Sequence, residues 1–185
     1  MKKILAWHFT AGTKLRDGQE LVVGKTYTFD GDPKLCKCGY HASINIIDAL
    51  KYAPGSQVSR VELWGKVKKD KDKLVAKNRT VIWTLDATMI LHEFACQAAE
   101  FALSKISNPD PKSVAAIETK RRWIRGEATD EELVAARLAA WSAAWSDARS
   151  AAWSAAWSAA WSAARSELNT ILERLITSPA PSGKE

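Results

Sequence analysis

The chain has 185 residues, of which 46% are hydrophobic, so it can form one large or two small domains with a buried core. Its formal charge of +6 comes from residues 1–86, where sixteen Lys and Arg stand against nine Asp and Glu. This excess favours an anionic partner such as a nucleotide or nucleic acid, although a role in solubility explains it equally well.

The first 86 residues alternate between strand patterns and turn signals. The opening MKKILAWHFTAG lacks the apolar length and cleavage site of a secretion signal, so we expect a cytoplasmic protein. Apolar or alternating runs predict strands at 4–9, 25–29, 39–43, 58–67 and 80–85. A short helix is predicted over 44–52, with Ser43 as its N-cap. We therefore predict that residues 1–86 form a basic α+β domain with a small mixed or antiparallel sheet.

The second half of the chain, residues 87–177, has a helical pattern. Apolar spacing predicts helices at 87–104 and 113–125, with a connector at 108–111 between them. Thr129 and Glu132 form a capping box that opens a third helix. Neither Gly nor Pro follows before Pro179, so we predict one helix from about 129 to 177. The polar tail, 178–185, is expected to be disordered.

Residues 139–166 repeat the tetrad Ala-Ala-Trp-Ser. Four residues overshoot a helical turn by about 40°, so the tryptophans spiral around the helix. Five exposed indoles would create an apolar patch that favours association. We therefore expect a homo-oligomer through 139–166, or packing against the chain's own helices. The alternative is that the repeat forms a spacer helix without a selected function. The longest uncharged stretch, 150–164, is too short and too rich in Ala and Ser to span a membrane.

The sequence offers two further candidate sites, a metal site and a nucleic-acid surface. The three cysteines are irregularly spaced, which argues against a disulfide framework. Cys36, Cys38 and His41 lie close together, but C-x-C is tighter than the usual pairs of structural zinc sites, so we predict reduced cysteines and no metal. Known phosphate-binding loops are absent from the sequence. Nucleic-acid binding stays open through basic residues beside aromatic ones, namely Lys66, Lys68, Lys69, Lys77 and Arg79 with Trp64 and Trp83.

A family resemblance covers residues 4–86. It is carried by Trp7-His8-Phe9-Thr10, Asp17-Gly18, Gly24-Lys25, Cys38-Gly39-Tyr40-His41-Ala42-Ser43, Asp48-Ala49-Leu50-Lys51-Tyr52-Ala53 and Val61-Glu62-Leu63-Trp64-Gly65. This pattern resembles an uncharacterised domain family of bacteriophages and prophages, whose proteins also carry repeats of the Ala-Ala-Trp-Ser type. More distantly, it is similar to small ADP-ribosyltransferases of the rifampin-modifying type, which implies an ADP-ribosyltransferase-like architecture.

The distant resemblance implies roles for individual residues. His8 would hold the ribose of NAD or a related nucleotide, Thr10 would contact its nicotinamide side, and Tyr40 would stack on the nicotinamide. Ser43 would complete the cofactor-binding set. The catalytic set would be His8, Tyr40 and an acid, for which Asp86 is the choice by position, with Asp70 and Asp72 as alternatives.

The leading expectation is a phage accessory protein that binds a nucleotide-type ligand or a host protein, with the countering of host defence as its expected role. The first alternative is an NAD-dependent ADP-ribosyltransferase, which requires a carboxylate to steady the oxocarbenium-like centre. The second is a non-catalytic scaffold that oligomerises through its repeat helix. An acid within reach of both His8 and Tyr40 would distinguish the enzyme from the binding protein.

Overall fold

A computed structural model describes residues 2–147 and 156–178, with side chains described outside 141–163. The chain divides into two compact units, Met1–Thr88 and Met89–Glu185, which we call the N-terminal unit and the helical unit. The boundary predicted from the sequence, at 86/87, lies close to this division. Within the described ranges, none of the helices is both long and apolar enough to cross a membrane.

The N-terminal unit is built on an antiparallel sheet, which confirms the predicted α+β class. Its strands are β1 (Ile4–Thr10), β2 (Thr26–Thr28), β3 (Tyr40–Ala42), β4 (Gln57–Lys69) and β5 (Leu74–Asp86). The order is β1-β4-β5-β2, and β3 also pairs with β5. Strands β4 and β5 form one long hairpin, whose turn is closed by a hydrogen bond from Asp70 N to Lys73 O of 2.9 Å.

Ser43 closes the sheet on itself. Strand β3 pairs with the beginning of β5, and Ser43 follows directly after it. The Trp7 amide donates to the Ser43 carbonyl at 2.7 Å, and the Ser43 amide donates back to Trp7 at 2.9 Å. The strand contacts therefore run in a ring, from β1 through β4, β5 and β3 back to β1. The side chains enclosed by this ring form the core of the unit: Ala6, Leu15, Tyr27, Tyr40, Ala42, Val61, Leu63, Leu74, Ala76 and Val81.

Two local predictions in this unit are wrong. Ser43 does not cap a helix, because its backbone is engaged with Trp7; helix α1 (Ile46–Lys51) begins after Asn45. The predicted strand 80–85 is too short, since β5 begins at Leu74. Asn78 and Arg79 interrupt the apolar pattern there, yet both side chains are buried.

The helical unit contains α2 (Thr88–Leu103), α3 (Pro111–Ile124), α4 (Asp130–Asp147) and α5 (Ala156–Thr177). The predicted capping box is confirmed: the Glu132 amide donates to Thr129 Oγ1 at 3.2 Å, and the Thr129 amide donates to Glu132 Oε2 at 2.8 Å. Helix α3 starts two residues before its predicted start, because Asp110 accepts from the Lys112 amide at 2.7 Å and Pro111 suits the first helical position.

The predicted long helix is described at its two ends by α4 and α5. Residues 148–155, the tail from 179 to 185 and the side chains of the repeat tryptophans lie outside the described residues. The continuity of the helix, the burial of its indoles, the homo-oligomer through 139–166 and the disordered tail therefore stay predictions.

Candidate ligand-binding site

His8 and Thr10 face the enclosed side of the sheet. Side chains alternate along a strand, so both share the side of Ala6, which lies in the core. The register of β4 confirms this arrangement, since it pairs Ala6 with the core residue Val61 and His8 with Ser59. The structure thus places two of the residues singled out by the resemblance on the inner surface of the ring.

Tyr40 lies on the same enclosed side, together with an arginine that the resemblance did not include. The rings of Tyr27 and Tyr40 have centroids 6.0 Å apart. The guanidinium carbon of Arg79 lies 4.8 Å from the Tyr40 centroid and 5.9 Å from that of Tyr27. Together with His8, these residues are called the Arg79 cluster below. Arg79 was predicted to serve a nucleic-acid surface; instead it is only 2% exposed, inside the sheet.

Arg79 is a buried cation without an anionic partner. Within the described ranges no carboxylate forms an ion pair with it, and its Nε is buried without a hydrogen-bond partner. Burial lowers the pKa of Arg79 from its ordinary value to about 10, while Tyr40, Tyr27 and Asp17 act in the opposite direction. A buried, unpaired charge lowers the stability of most folded proteins by about 3–5 kcal/mol. We therefore expect Arg79 to lower the stability of this fold.

His8 is the second unsatisfied group of the cluster. Its Nδ1 is buried and has no hydrogen-bond partner. Burial, followed by the charges of Arg79 and His41, lowers the pKa of His8 well below its ordinary value. The ring is therefore neutral near pH 7, where it can accept or donate a single hydrogen bond at each nitrogen according to its tautomer.

Hydroxyl groups extend the polar inner surface beyond His8. The Thr84 hydroxyl donates to the Val58 carbonyl at 3.0 Å, and it accepts from Gln57 Nε2 at 2.7 Å. The Ser59 hydroxyl lies 3.3 Å from the hydroxyl oxygen of Thr84. Thr10 Oγ1 donates to the Gly12 carbonyl at 2.6 Å, which fixes the chain as it leaves β1.

Residues 11–24 form a loop over the Arg79 cluster. Leu15 inserts into the core beside Tyr27 and Tyr40 and is 5% exposed. The Tyr27 hydroxyl holds the far end of the loop, because it accepts from the Val22 amide at 2.8 Å and donates to the Glu20 carbonyl. The loop therefore closes the enclosed side of the sheet above the two tyrosine rings.

The remaining predicted site residues lie elsewhere. Ser43 is paired with Trp7, so both side chains lie on the outer face of the sheet, opposite to the face of His8. Asp86 lies at the junction of β5 and α2, where its carboxylate accepts from Ser56 Oγ at 3.0 Å and from the Thr88 amide at 2.9 Å. These hydrogen bonds, led by that from the Thr88 side chain, lower the pKa of Asp86.

The two alternative acids are also engaged away from the cluster. Asp72 accepts from Lys51 Nζ and from the Tyr52 hydroxyl, both at 2.8 Å. Asp70 accepts from the Lys71 amide within the hairpin turn at 2.8 Å. The structure thus brings His8, Thr10 and Tyr40 to one side of the sheet and places none of the three predicted acids in a hydrogen bond with them.

The His41 ring is engaged by the backbone of the Cys36–His41 segment. His41 Nε2 accepts from the Cys36 amide at 3.0 Å, and Nδ1 lies 3.1 Å from the Gly39 carbonyl, so both nitrogens are occupied. Gly39 itself has φ 96°, and a Cβ there would lie 2.8 Å from Pro33. In the part of the chain that the structure describes, no group of three or more His, Cys, Asp or Glu side chains could hold a metal ion.

The basic surface predicted for nucleic acid is partly neutralised. Lys66 and Lys68 pair with the carboxylate of Asp32 at 2.9 Å and 3.1 Å. The Trp64 indole lies 3.4 Å from the Thr80 hydroxyl and is partly buried. These contacts occupy three of the groups that single-stranded nucleic acid would need.

Residues 7–93 match the model of a protein family described as a domain of unknown function, DUF7666. No curated protein and no solved structure matches the chain. Nothing in these comparisons links the chain to phages or to ADP-ribosyltransferases. The matched range contains the whole Arg79 cluster and the loop above it, so the N-terminal unit carries the similarity to this family.

Proposed function

We propose that the N-terminal unit binds a small anionic ligand of nucleotide type at the Arg79 cluster. The observation that supports this proposal is the guanidinium of Arg79, which is buried over two tyrosine rings and forms no ion pair with a carboxylate of the described residues. Strongly perturbed ionisable groups concentrate at functional sites, because binding or catalysis compensates for their cost in stability.

The chemistry of the cluster suits a phosphate or diphosphate group. Arginine donates two parallel hydrogen bonds to such groups, and Arg79 Nε is free to take part. His8 Nδ1 offers a further hydrogen bond, and the basic excess of residues 1–86 attracts anions toward the unit. Neither nitrogen has a hydrogen-bond partner among the described residues, and an anion is a partner that each could take.

The biological setting of the proposal rests on the resemblance described above. We place the protein among phage or prophage accessory proteins that act in the host cytoplasm, where it could also bind a host protein or counter a defence system. None of these points follows from a contact in the Arg79 cluster.

NAD-dependent ADP-ribosyl transfer is the second candidate. It is favoured by the shared enclosed side of His8, Thr10 and Tyr40. It needs a carboxylate beside the reacting carbon, and Asp86 is engaged with Ser56 and Thr88 instead. We therefore rank binding above turnover. The oligomerising scaffold stays the third candidate, since residues 148–155 and the side chains of 141–163 in its repeat segment lie outside the described residues.

Calorimetric titration of the full-length chain with NAD, ADP-ribose and ADP at two salt concentrations tests the proposal. We expect binding that weakens as salt rises, and a loss of about tenfold or more in Arg79→Met, because a charge-assisted hydrogen bond contributes about 1.5–3 kcal/mol. Lys25→Met is the matched control, since Lys25 lies 4.9 Å over the same Tyr27 ring but is exposed. Undiminished affinity in Arg79→Met would exclude this site. Release of nicotinamide from NAD would favour the enzyme.

A further inference from the structure

We propose that the loop 11–24 is a displaceable plug, in which Leu15 occupies the place of the apolar part of the ligand and the exposed carboxylate of Asp17 competes with its anionic part. This inference rests on the proposed function, because it concerns the same Arg79 cluster. It adds the class of ligand, an organic anion with a flat or apolar part, and the movement that admits it.

Leu15 supplies the apolar half of the plug. It is 5% exposed and packs in the same core as Tyr27 and Tyr40, although it belongs to a loop and not to the sheet. A ligand that contacts these two rings has to displace this side chain. A flat or apolar moiety can replace its contacts, whereas inorganic phosphate cannot.

Asp17 supplies the anionic half. Asp17 lies two residues after the buried Leu15. Burial and then the charge of Asp17 raise the pKa of Tyr40, and the same charge opposes the lowering of the pKa of Arg79 by burial. Its carboxylate accepts from the Gln19 amide at 3.2 Å and from Gln19 Nε2 at 2.9 Å, and within residues 2–147 and 156–178 no Lys or Arg forms an ion pair with it. Asp17 is exposed, so it balances Arg79 across a distance without filling its hydrogen-bonding positions.

The loop is built to move as one piece. Inside it, the Leu15 amide donates to the Gln19 carbonyl at 2.8 Å and the Leu21 amide donates to Thr13 at 2.7 Å, so the hairpin keeps its own hydrogen bonds when it lifts. The Tyr27 hydroxyl is the latch, through its bonds with Glu20 and Val22.

Glycines lie at the two ends of this hairpin. Gly12 has φ 147° and Gly24 has φ 80°, and no atom lies within 4 Å of the position of a Cβ at either residue. Residues at such positions absorb the change in backbone angles when a loop opens, so they are suited to act as hinges.

The test compares the full-length wild-type chain with Asp17→Asn and Glu20→Gln. Both variants remove one negative charge from the same exposed hairpin. The Glu20 side chain pairs with Lys14 at 3.8 Å, and the latch uses the Glu20 backbone carbonyl, which the substitution keeps. We expect Asp17→Asn to bind ADP-ribose about fivefold more tightly, since the competing charge is gone, and Glu20→Gln to stay within about twofold of the wild type. Pyrophosphate, which has no apolar part, should bind more weakly than ADP-ribose to all three proteins.

Hydrogen exchange on the same samples reports the movement. ADP-ribose should speed the exchange of the Val22 amide if it displaces the plug, because this amide loses its bond to the Tyr27 hydroxyl, whereas the Leu15 and Leu21 amides keep their bonds inside the hairpin. Equal affinities of wild type and Asp17→Asn, equal gains in both variants, or unchanged or slower exchange of the Val22 amide on binding would overturn the plug and leave the proposed function standing. Absence of ADP-ribose binding by all three proteins would overturn the proposed function, and the plug with it.

Discussion

Replacing Arg79 by methionine should make the N-terminal unit more stable. The folded protein lowers the pKa of Arg79 from its ordinary value to about 10, chiefly by burial. Since one pKa unit corresponds to about 1.4 kcal/mol, keeping the guanidinium charged costs the fold about 3 kcal/mol. Cation–π contacts with the two tyrosine rings offset this cost by about 0.5–1 kcal/mol each. Methionine fills much of the same volume without a charge, so we expect a net gain of about 1–2 kcal/mol.

Native-state hydrogen exchange of the slowest amides in β4 and β5 measures this gain in the full-length chain, because it reports the opening of the N-terminal unit by itself. Lys25→Met is again the control, since Lys25 is exposed over the Tyr27 ring and its replacement should change stability by less than about 0.5 kcal/mol. If Arg79→Met is less stable than the wild type by more than about 1 kcal/mol, the arginine is a structural element of the core. The reasoning that it is kept for a ligand would then be refuted.

Three further predictions concern single contacts. Tyr27→Phe removes the latch of the loop 11–24, so opening should become easier by about 1–3 kcal/mol, seen as faster exchange of the Val22 amide; unchanged exchange would contradict the latch. Thr129→Ala removes half of the capping box and should lower the stability of the helical unit by about 1 kcal/mol in thermal unfolding, whereas an unchanged melting temperature would show that the cap contributes nothing. His8 has a folded pKa below the ordinary 6.5, so the unfolded chain binds the extra proton and the free energy of unfolding falls as pH drops below about 7. His8→Asn should flatten this slope without abolishing it, because the pKa of His41 is lowered too, and an unaltered slope would show that His8 is not buried neutral.

Local signals predicted the parts of the fold that depend on local forces. The capping box of Thr129 and Glu132 was predicted correctly, because both of its hydrogen bonds are made within four residues. The strand at 4–9 was predicted within one residue, since a short apolar run followed by a glycine is typical of a buried strand. The prediction that Ser43 caps a helix was wrong for the opposite reason. Its neighbours in sequence favour a helix cap, but its backbone is hydrogen-bonded to Trp7 of a strand distant in sequence.

The site was only half predictable. His8, Thr10 and Tyr40 entered through the resemblance, and the structure places them on one side of the sheet. Arg79 was assigned to the surface, because a charged residue is rarely buried and the rings that cover it come from distant parts of the chain. Asp86 did carry a local signal: Asp-Ala-Thr before a helical run is typical of a cap, and the observed bond to the Thr88 amide fits it.

The ring of strands also imposes an order on folding. All the strand partners of β1 come much later in the chain, at Ser43 and at residues 57–63, whereas β4 and β5 meet across a short turn. On a ribosome, the first strand to be synthesised must therefore wait until most of the unit has emerged, and the hairpin has the lower entropic barrier to formation. We expect the β4–β5 hairpin to be the nucleus and β1 to dock last, so that amides of β1 gain protection latest in pulse-labelled refolding.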